Sequence, residues 1–302
     1  MTGPGPEAEP EAEAEPEPAP APAPERRAER RLPPVGVTGV GVAVLRAVES
    51  GRPDRLFDDP YATAFVKAAG MGHRVEERAR EGPGIAEWIA TRTRFLDDVV
   101  LGACADGCAQ VVILGAGLDA RAFRLQWPEG TRLWELDLPD VLDFKEQVIN
   151  AEGWRPRSAR VGVPVDLSED WGQALVGTGF DPAVPVAWLA EGLLAYLPTE
   201  IRDGLVARTA GLSVQGSRLG LTLASPHRLA AWQEAHPEGR SVPRDYVALW
   251  QSEAPEDVEG WLSSFGWQAT VFDSAERSGA YGRPLDEGAV RPGARLIEAT
   301  RR

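Results

Sequence analysis

One apolar run that ends in glycines, residues 109–117 (AQVVILGAG), constrains the fold of this chain most strongly. A continuous apolar run of this length is typical of a strand that is buried on both faces of a parallel sheet. Further strand-like segments follow, most of them separated by helical segments: residues 131–137, 161–167, 185–197, 217–225, 267–273 and 294–301. The last two are predicted to pair with each other. This alternation predicts an α/β fold with a doubly wound, mostly parallel, seven-stranded sheet and helices on both faces.

The chain before this run has two parts of very different composition. Residues 1–34 hold ten prolines, eight glutamates and four arginines, and this composition predicts a disordered tail. Apolar spacing then predicts three helices, at about 35–51, 57–70 and 84–107. We therefore expect one domain over 35–302, made of a helical lid region (35–108) and a Rossmann-like core (109–302). Later helices are expected at about 141–151, 199–213, 226–236, 243–252 and 256–265.

Composition excludes several classes of partner. The 46 acidic and 32 basic side chains give a formal charge of −14, which argues against nucleic acid because phosphate binding needs a basic surface. Two cysteines and three scattered histidines form neither a disulfide framework nor a familiar zinc site. The stretch closest to a membrane span, residues 99–117, is interrupted by Asp106 and Gln110. We expect a cytoplasmic protein without a metal, nucleic-acid or membrane partner.

The glycines at the end of the first strand are typical of a nucleotide site. Gly115 and Gly117 lack a Cβ atom, so a ligand can lie against the backbone where the strand turns into a helix. Asp137 follows 22 positions after Gly115, close to the spacing of the acid that binds ribose hydroxyls in dinucleotide sites. Two alternatives stay open at this stage. Glu135 lies two residues earlier on the same strand, and Asp137 could instead cap the helix that begins near Pro139.

Acids at three successive strand ends indicate the charge of the ligand. Asp166 follows the third strand and Glu191 the fourth, so with Asp137 they would line one edge of the sheet. An acidic, partly apolar cup suits a cationic nucleoside better than the diphosphate of NAD. The third glycine of the NAD pattern is also replaced, by Ala120. The hypothesis that follows is S-adenosylmethionine, whose sulfonium and ammonium groups are both positive.

Six segments together resemble the leucine carboxyl methyltransferase family, especially its actinobacterial S-adenosylmethionine-dependent members. The segments are AVESGRPDRLFDDPYATAFV (47–66), TRTRFLDD (91–98), VVILGAGLDARAFRL (111–125), WELDLPDVLDFK (134–145), VDL (165–167) and WLAEGLLAYL (188–197). The resemblance implies a class I methyltransferase sheet, S-adenosylmethionine as cofactor and a small-molecule methyl acceptor. Eukaryotic members place a lysine in the first helix, where this chain reads TGVGVA (38–43).

The resemblance also implies a role for each matching position. Arg92 would pair with the methionine carboxylate of the cofactor, and Arg94 is the alternative. Asp137 would bind the ribose hydroxyls, and Asp166 would accept from the adenine amino group. The remaining implied cofactor-binding residues are Gly115 and Gly117 beside the methionine portion, Leu167 beside the adenine and Glu191 near the amino-acid or acceptor end.

The sequence assigns no catalytic acid or base. His227 follows the fifth strand, but a surface or helix-capping role fits it better. Tyr196, Trp88 and Trp250 are candidates to line an acceptor pocket, with core packing as the alternative. O-methylation of a small-molecule carboxylate or hydroxyl is the function predicted. An NAD(P)-linked oxidoreductase and a non-catalytic cofactor-binding regulator are the alternatives.

Overall fold

A computed structural model of the chain describes residues 1, 3, 33–80, 85–235, 247–285 and 293–302. The predicted disordered tail, residues 1–34, lies outside this part of the chain except for residues 1, 3, 33 and 34, and its disorder stays a prediction. Residues 32–302 group into one compact unit. Within the described ranges, no helix combines the length and the apolar composition needed to span a bilayer.

The sheet has seven strands, as the sequence predicts. They are β1 (Gln110–Leu114), β2 (Arg132–Asp137), β3 (Ala159–Pro164), β4 (Val186–Ala190), β5 (Arg218–Leu223), β6 (Trp267–Asp273) and β7 (Arg295–Arg301). Their order is β3-β2-β1-β4-β5-β7-β6. The first five strands in this order are parallel, and β7 is antiparallel to both β5 and β6. The doubly wound, mostly parallel sheet and its terminal pair are confirmed.

Helices lie before, between and after the strands. They are α1 (Pro34–Ser50), α2 (Ala62–Ala68), α3 (His73–Arg80), α4 (Ile85–Ala105), α5 (Arg121–Arg124), α6 (Pro139–Glu152), α7 (Trp171–Gly177), α8 (Thr199–Gly211), α9 (Pro226–Ala235), α10 (Val258–Ser264) and α11 (Ser274–Ala280). A short 3₁₀ turn, Leu194–Tyr196, follows β4. Chain order and strand order together place β1 between β2 and β4, the switch point at which ligands bind in open α/β sheets.

The core is divided by the sheet into two apolar clusters. Successive side chains of β1 point to opposite faces, as the period of two in a strand requires. Val111 and Ile113 pack with α4, whereas Val112 and Leu114 pack with α7 and α8. Both faces of β1 are therefore buried, which explains its unbroken apolar sequence. A third cluster joins α1 and α2 to Leu118 in the turn after β1.

The region before β1 differs from the prediction in two ways. In the described part of the chain, four helices precede β1 rather than three, because α3 was not expected. Its sequence HRVEERAR has Val75 as its one large apolar residue and therefore shows no helical apolar stripe, and α3 buries none of its residues. Second, α4 packs its apolar face on the sheet, so α1 is the element of the region 35–108 that covers the strand ends.

Some later helices also differ from the expected pattern. The seven-residue helices α7 and α11 were not predicted, because segments this short give weak periodicity. Of the helix expected over 243–252, residues 243–246 lie outside the described part of the chain, and the prediction is wrong for 248–252, which form a turn and coil after one helical residue, Val247. Elsewhere the predicted elements exist, with ends that differ by a few residues.

Candidate active site

A cleft of about 150 Å³ lies at the carboxyl ends of β1, β2 and β4, beneath α1. The turn after β1 forms its floor. Helix α1 contributes Gly39, Val42 and Arg46, which are three and four residues apart and so share one helix face. Small side chains at the first part of this stripe let α1 approach the turn closely: a Cβ at Gly39 would lie 3.9 Å from Leu118.

Glycine is required by the backbone of the turn after β1. Gly115 and Gly117 have φ values of 61° and 48°, in the left-handed region that favours glycine. Space imposes a second demand, because a Cβ on Gly115 would lie 2.8 Å from Cδ1 of Leu193. The turn is fixed from the neighbouring strand, where the carbonyl oxygen of Leu136 accepts from the backbone nitrogen of Ala116 at 3.0 Å.

Asp137 lies at the end of β2 and faces this turn. Its Oδ2 accepts from the backbone nitrogen of Gly117 at 2.6 Å, and its Oδ1 accepts from that of Leu138 at 2.7 Å. Burial raises the pKa of this carboxyl, and the two backbone hydrogen bonds act in the opposite direction. The carboxylate thus holds the turn and lines the cleft, and it bonds none of the first-turn amides within α6.

Glu135, the alternative to Asp137, is not a cleft residue. Its side chain is fully buried between α6 and β3, where it accepts from Lys145 Nζ at 2.6 Å and Arg160 Nη2 at 2.7 Å. Residues 135 and 137 do lie on the same side of the strand by periodicity, but only Asp137 is at the strand end. The end of the strand lets its carboxylate turn toward the glycines.

Glu191, directly after β4, accepts hydrogen bonds from three arginines. Its Oε1 lies 2.9 Å from Arg46 Nη2 and 2.9 Å from Arg92 Nε, while its Oε2 lies 2.7 Å from Arg121 Nη1. Burial would raise the pKa of Glu191, but these guanidinium groups outweigh burial and hold the pKa well below its usual range. Glu191 is therefore an anion that organises the surrounding arginines.

Arg92 lies on α4 and reaches the cleft, as predicted. Its Nε is taken by Glu191, and its two terminal nitrogens have no hydrogen-bond partner among the described residues. Burial lowers the pKa of Arg92, and Glu191 opposes this effect. The guanidinium lies across Gly192, which has a φ of 61° and where a Cβ would be 3.0 Å from Nη1. Gly192 thus leaves the space that Arg92 occupies.

If the cleft binds S-adenosylmethionine, as the sequence predicts, a Gly192→Ala variant is expected to bind it more weakly, by roughly 3- to 10-fold, because the new methyl group displaces the Arg92 guanidinium and the backbone is strained. Calorimetric titration with the cofactor product S-adenosylhomocysteine measures the effect. The matched control is Gly204→Ala in α8, where a Cβ meets nothing within 4 Å. Equal affinities in the two variants would show that the space at Gly192 is irrelevant to the site.

Arg94 does not line the cleft, whereas Arg46, which was not predicted, does. The alternative to Arg92, Arg94, points away from the cleft, with Nε 2.9 Å from Asp98 Oδ1. Arg46 was not predicted, although it is buried, lines the cleft and leaves its Nε without a partner. A signal for it existed in the sequence: Arg46 continues the stripe of Gly39 and Val42 at helical spacing.

Asp166 and Leu167 do not line the cleft. Asp166 lies exposed beyond β3, where its Oδ1 accepts from the backbone nitrogen and Oγ of Ser168 at 2.8 and 2.7 Å. Leu167 is buried and packs in the core cluster that contains Trp171. The implied roles of Asp166 and Leu167 stay predictions.

The acceptor candidates separate into cleft and non-cleft residues. Tyr196 lines the cleft, and Trp250 packs edge-on against its ring with centroids 6.4 Å apart. Trp88 is a core residue, and the side chain of His227 is exposed while its backbone nitrogen donates to Glu253. In the described part of the chain, no group of three or more His, Cys, Asp or Glu side chains could hold a metal ion.

Comparison with known proteins decides the family. The sequence model of leucine carboxyl methyltransferase matches residues 39–210, which run from within α1 into α8 and include the cleft-lining residues except Gly36 and Thr38. The chain belongs to the leucine carboxyl methyltransferase family. A Frankia alni relative classed as an S-adenosyl-L-methionine-dependent methyltransferase is 46% identical over 267 residues, covering 85% of this chain and 92% of the relative. A Streptomyces avermitilis relative of the same class is 44% identical over 285 residues, covering 91% and 99%.

Solved structures show the same fold at lower identity. A DUF574 family protein from Streptomyces avermitilis has a TM-score of 0.55 at 15% identity and covers 87% of this chain and 97% of that one. A methyltransferase structure from Thermobifida fusca has a TM-score of 0.54 at 19% identity, with 86% and 94% covered. This member of the leucine carboxyl methyltransferase family is an enzyme that uses S-adenosylmethionine. The oxidoreductase and regulator alternatives are wrong.

Proposed function

We propose that the enzyme methylates an oxygen of a small-molecule acceptor, a carboxylate or a hydroxyl, and that its cleft holds S-adenosylmethionine along its length. The supporting observation is the polarity of the cleft. Asp137 lines the cleft from the end of β2, and Arg46 and Arg92 line it beside Glu191 at the end of β4, with β1 between these two strands. The cofactor has matching groups at its own ends: ribose hydroxyls that donate and a methionine carboxylate that accepts.

The adenosine half would lie over the glycine turn. Asp137 would accept from the ribose hydroxyls, because its carboxylate lies buried beside Gly115 and Gly117, where no Cβ blocks the approach. Asp166 would accept from the adenine amino group with its Oδ2, since its two hydrogen bonds with Ser168 use Oδ1. The Leu167 side chain is packed in the core, so its contribution would come from its backbone.

The methionine half would lie between α1 and the end of β4. The terminal nitrogens of Arg92 suit a bidentate pair with the methionine carboxylate, because a guanidinium matches the geometry of a carboxylate. Arg46 would add a second donor from α1. Glu191 lies among these groups and would be the nearest anion to the cofactor ammonium.

The bound cofactor supplies an electrophilic methyl group on its sulfonium. The protein then has to align the acceptor oxygen with that methyl, and such positioning can supply much of the acceleration. The three carboxylates that line the cleft are already engaged: Asp119 with Arg121, Asp137 with backbone amides and Glu191 with three arginines. This favours an acceptor oxygen that is ionised on arrival, such as a carboxylate. The acidic composition supports a small-molecule acceptor in the cytoplasm over nucleic acid.

Transfer of a labelled methyl group tests this function. The enzyme is incubated with methyl-labelled S-adenosylmethionine and a metabolite extract, and the products are treated with mild alkali. A methyl ester releases labelled methanol, while a methyl ether keeps its label, so the two oxygen classes are separated. Label found on nitrogen or carbon alone, or no transfer of label to any fraction of the extract, would overturn the proposed O-methylation.

A further inference from the structure

Arg121 in α5 is a buried arginine that touches the cleft residues without lining the cleft. Its side chain has no solvent exposure. Its Nε donates to Asp97 Oδ1 at 2.7 Å, and its Nη1 donates to both Asp119 and Glu191 Oε2, the latter at 2.7 Å. The guanidinium thus joins α4, the turn after β1 and the end of β4 through three carboxylates.

The contact with Glu191 determines which oxygen of that carboxylate faces the cleft. With Oε2 held by Arg121, Oε1 is presented to Arg46 and Arg92, each at 2.9 Å. Neither cleft arginine touches Arg121 itself in a hydrogen bond. Arg121 reaches the cleft through two carboxylates, Asp119 and Glu191, and of these two it is Glu191 that accepts from Arg46 and Arg92.

The arrangement depends on the forked shape of the arginine donor as well as on its charge. Burial would lower the pKa of Arg121, but Asp119, Glu191 and Asp97 raise it well above its ordinary value. A lysine at this position would keep the charge but carry all its donors on one nitrogen. It could not reproduce the contacts that Arg121 makes to three carboxylates from two separate nitrogens, Nε and Nη1. Glu191 would then be free to turn, and Arg92 and Arg46 would lose their common anchor.

We infer that Arg121 is a positioning residue for the carboxylate end of the cofactor: by holding Glu191, it aims Arg92 and Arg46. This inference rests on the proposed cofactor arrangement. It concerns the amino-acid half of the cofactor alone, because the hydrogen bonds of the Arg121 side chain to described residues go to Asp97, Asp119, Glu191 and the Thr93 carbonyl, and none goes to Asp137 or the glycines. A residue that merely stabilised the fold would affect both halves of the ligand.

Two ligands separate these roles. S-adenosylhomocysteine carries adenosine and the amino-acid portion, whereas 5′-methylthioadenosine carries adenosine and no amino acid. Calorimetric titration of both ligands into wild type and Arg121→Lys is expected to show at least about tenfold weaker binding of S-adenosylhomocysteine, with 5′-methylthioadenosine within about twofold of wild type. The matched control is Arg160→Lys, another buried arginine with two carboxylate partners, remote from Glu191. Its ratio of the two affinities stays that of wild type.

Asp97→Asn provides a second variant if Arg121→Lys fails to fold. It removes one negative charge that holds Arg121 and leaves Glu191 in place. We therefore expect weaker binding of S-adenosylhomocysteine by a smaller factor, again with little change for 5′-methylthioadenosine. Equal weakening of both ligands, or no change in either, would overturn the positioning role while leaving the proposed function intact. Failure of wild type to bind either ligand would overturn the cofactor arrangement, and the role of Arg121 with it.

Discussion

Replacing Asp137 with Asn is expected to weaken binding of S-adenosylhomocysteine by roughly 10- to 100-fold. The carboxylate would form charge-assisted hydrogen bonds with the ribose hydroxyls, each worth about 1.5–3 kcal/mol, and tenfold in affinity corresponds to about 1.4 kcal/mol. Asn keeps one oxygen acceptor for the Gly117 backbone nitrogen, so the turn after β1 should persist. Titration calorimetry measures the affinity, and a thermal melt shows whether the fold is retained.

The control for this change is Glu129→Gln, which removes an exposed carboxylate outside the cleft. It should bind the ligand as wild type does. Asp137→Ala should be at least as weak as Asp137→Asn, because it also removes the acceptor for Gly117. Wild-type affinity in Asp137→Asn would refute the assignment of Asp137 to the ribose.

Replacing Lys145 with Met is expected to destabilise the enzyme by about 3–5 kcal/mol, the range for breaking a buried ion pair. Both side chains of the Lys145–Glu135 pair are fully buried, and Oε1 of Glu135 already lacks a partner. Loss of the lysine leaves Arg160 as the cation that faces Glu135. For a domain of this size the melting temperature should fall by roughly 10 °C.

The matched control is Arg80→Met, which breaks an ion pair between side chains that are 74% and 78% exposed. Exposed pairs contribute about 0–1 kcal/mol, so its melting temperature should change by a few degrees at most. If the melting temperature of Lys145→Met equalled that of Arg80→Met instead of lying well below it, the buried pair would not stabilise the fold in this way.

The fold could be predicted from the sequence because its central strands, β1 and β4, are buried on both faces. Runs such as residues 110–114 have a continuous apolar sequence, and glycines mark where they end. Helix α3 could not be predicted this way: it buries no residue fully, and its one large apolar side chain, Val75, packs half-buried beside α1 and α2 but makes no apolar stripe. The sequence placed α4 in the lid region, whereas the structure packs its apolar face on the sheet. The sequence could not distinguish these two positions, because packing on a sheet and covering a cleft both require apolar side chains.

The site could be predicted in part, to the extent that it depends on backbone geometry. Gly115, Gly117 and Asp137 lie together because a left-handed turn after β1 faces the end of β2. The arginine network was less accessible to sequence reasoning. Arg46 and Arg121 meet at Glu191 from positions 145 and 70 residues away, and no local pattern links them. Family resemblance identified Arg92 and Glu191 as cofactor residues, but their direct contact is apparent only in three dimensions.

A crystal structure of the enzyme with S-adenosylhomocysteine tests the central claim most directly. We expect the ligand to lie in the cleft under α1, with its ribose hydroxyls at Asp137 and its carboxylate at the terminal nitrogens of Arg92. Glu191 should keep its contact with Arg121. A ligand bound with its carboxylate remote from Arg92 and Arg46, or with its ribose away from Asp137, would contradict the account.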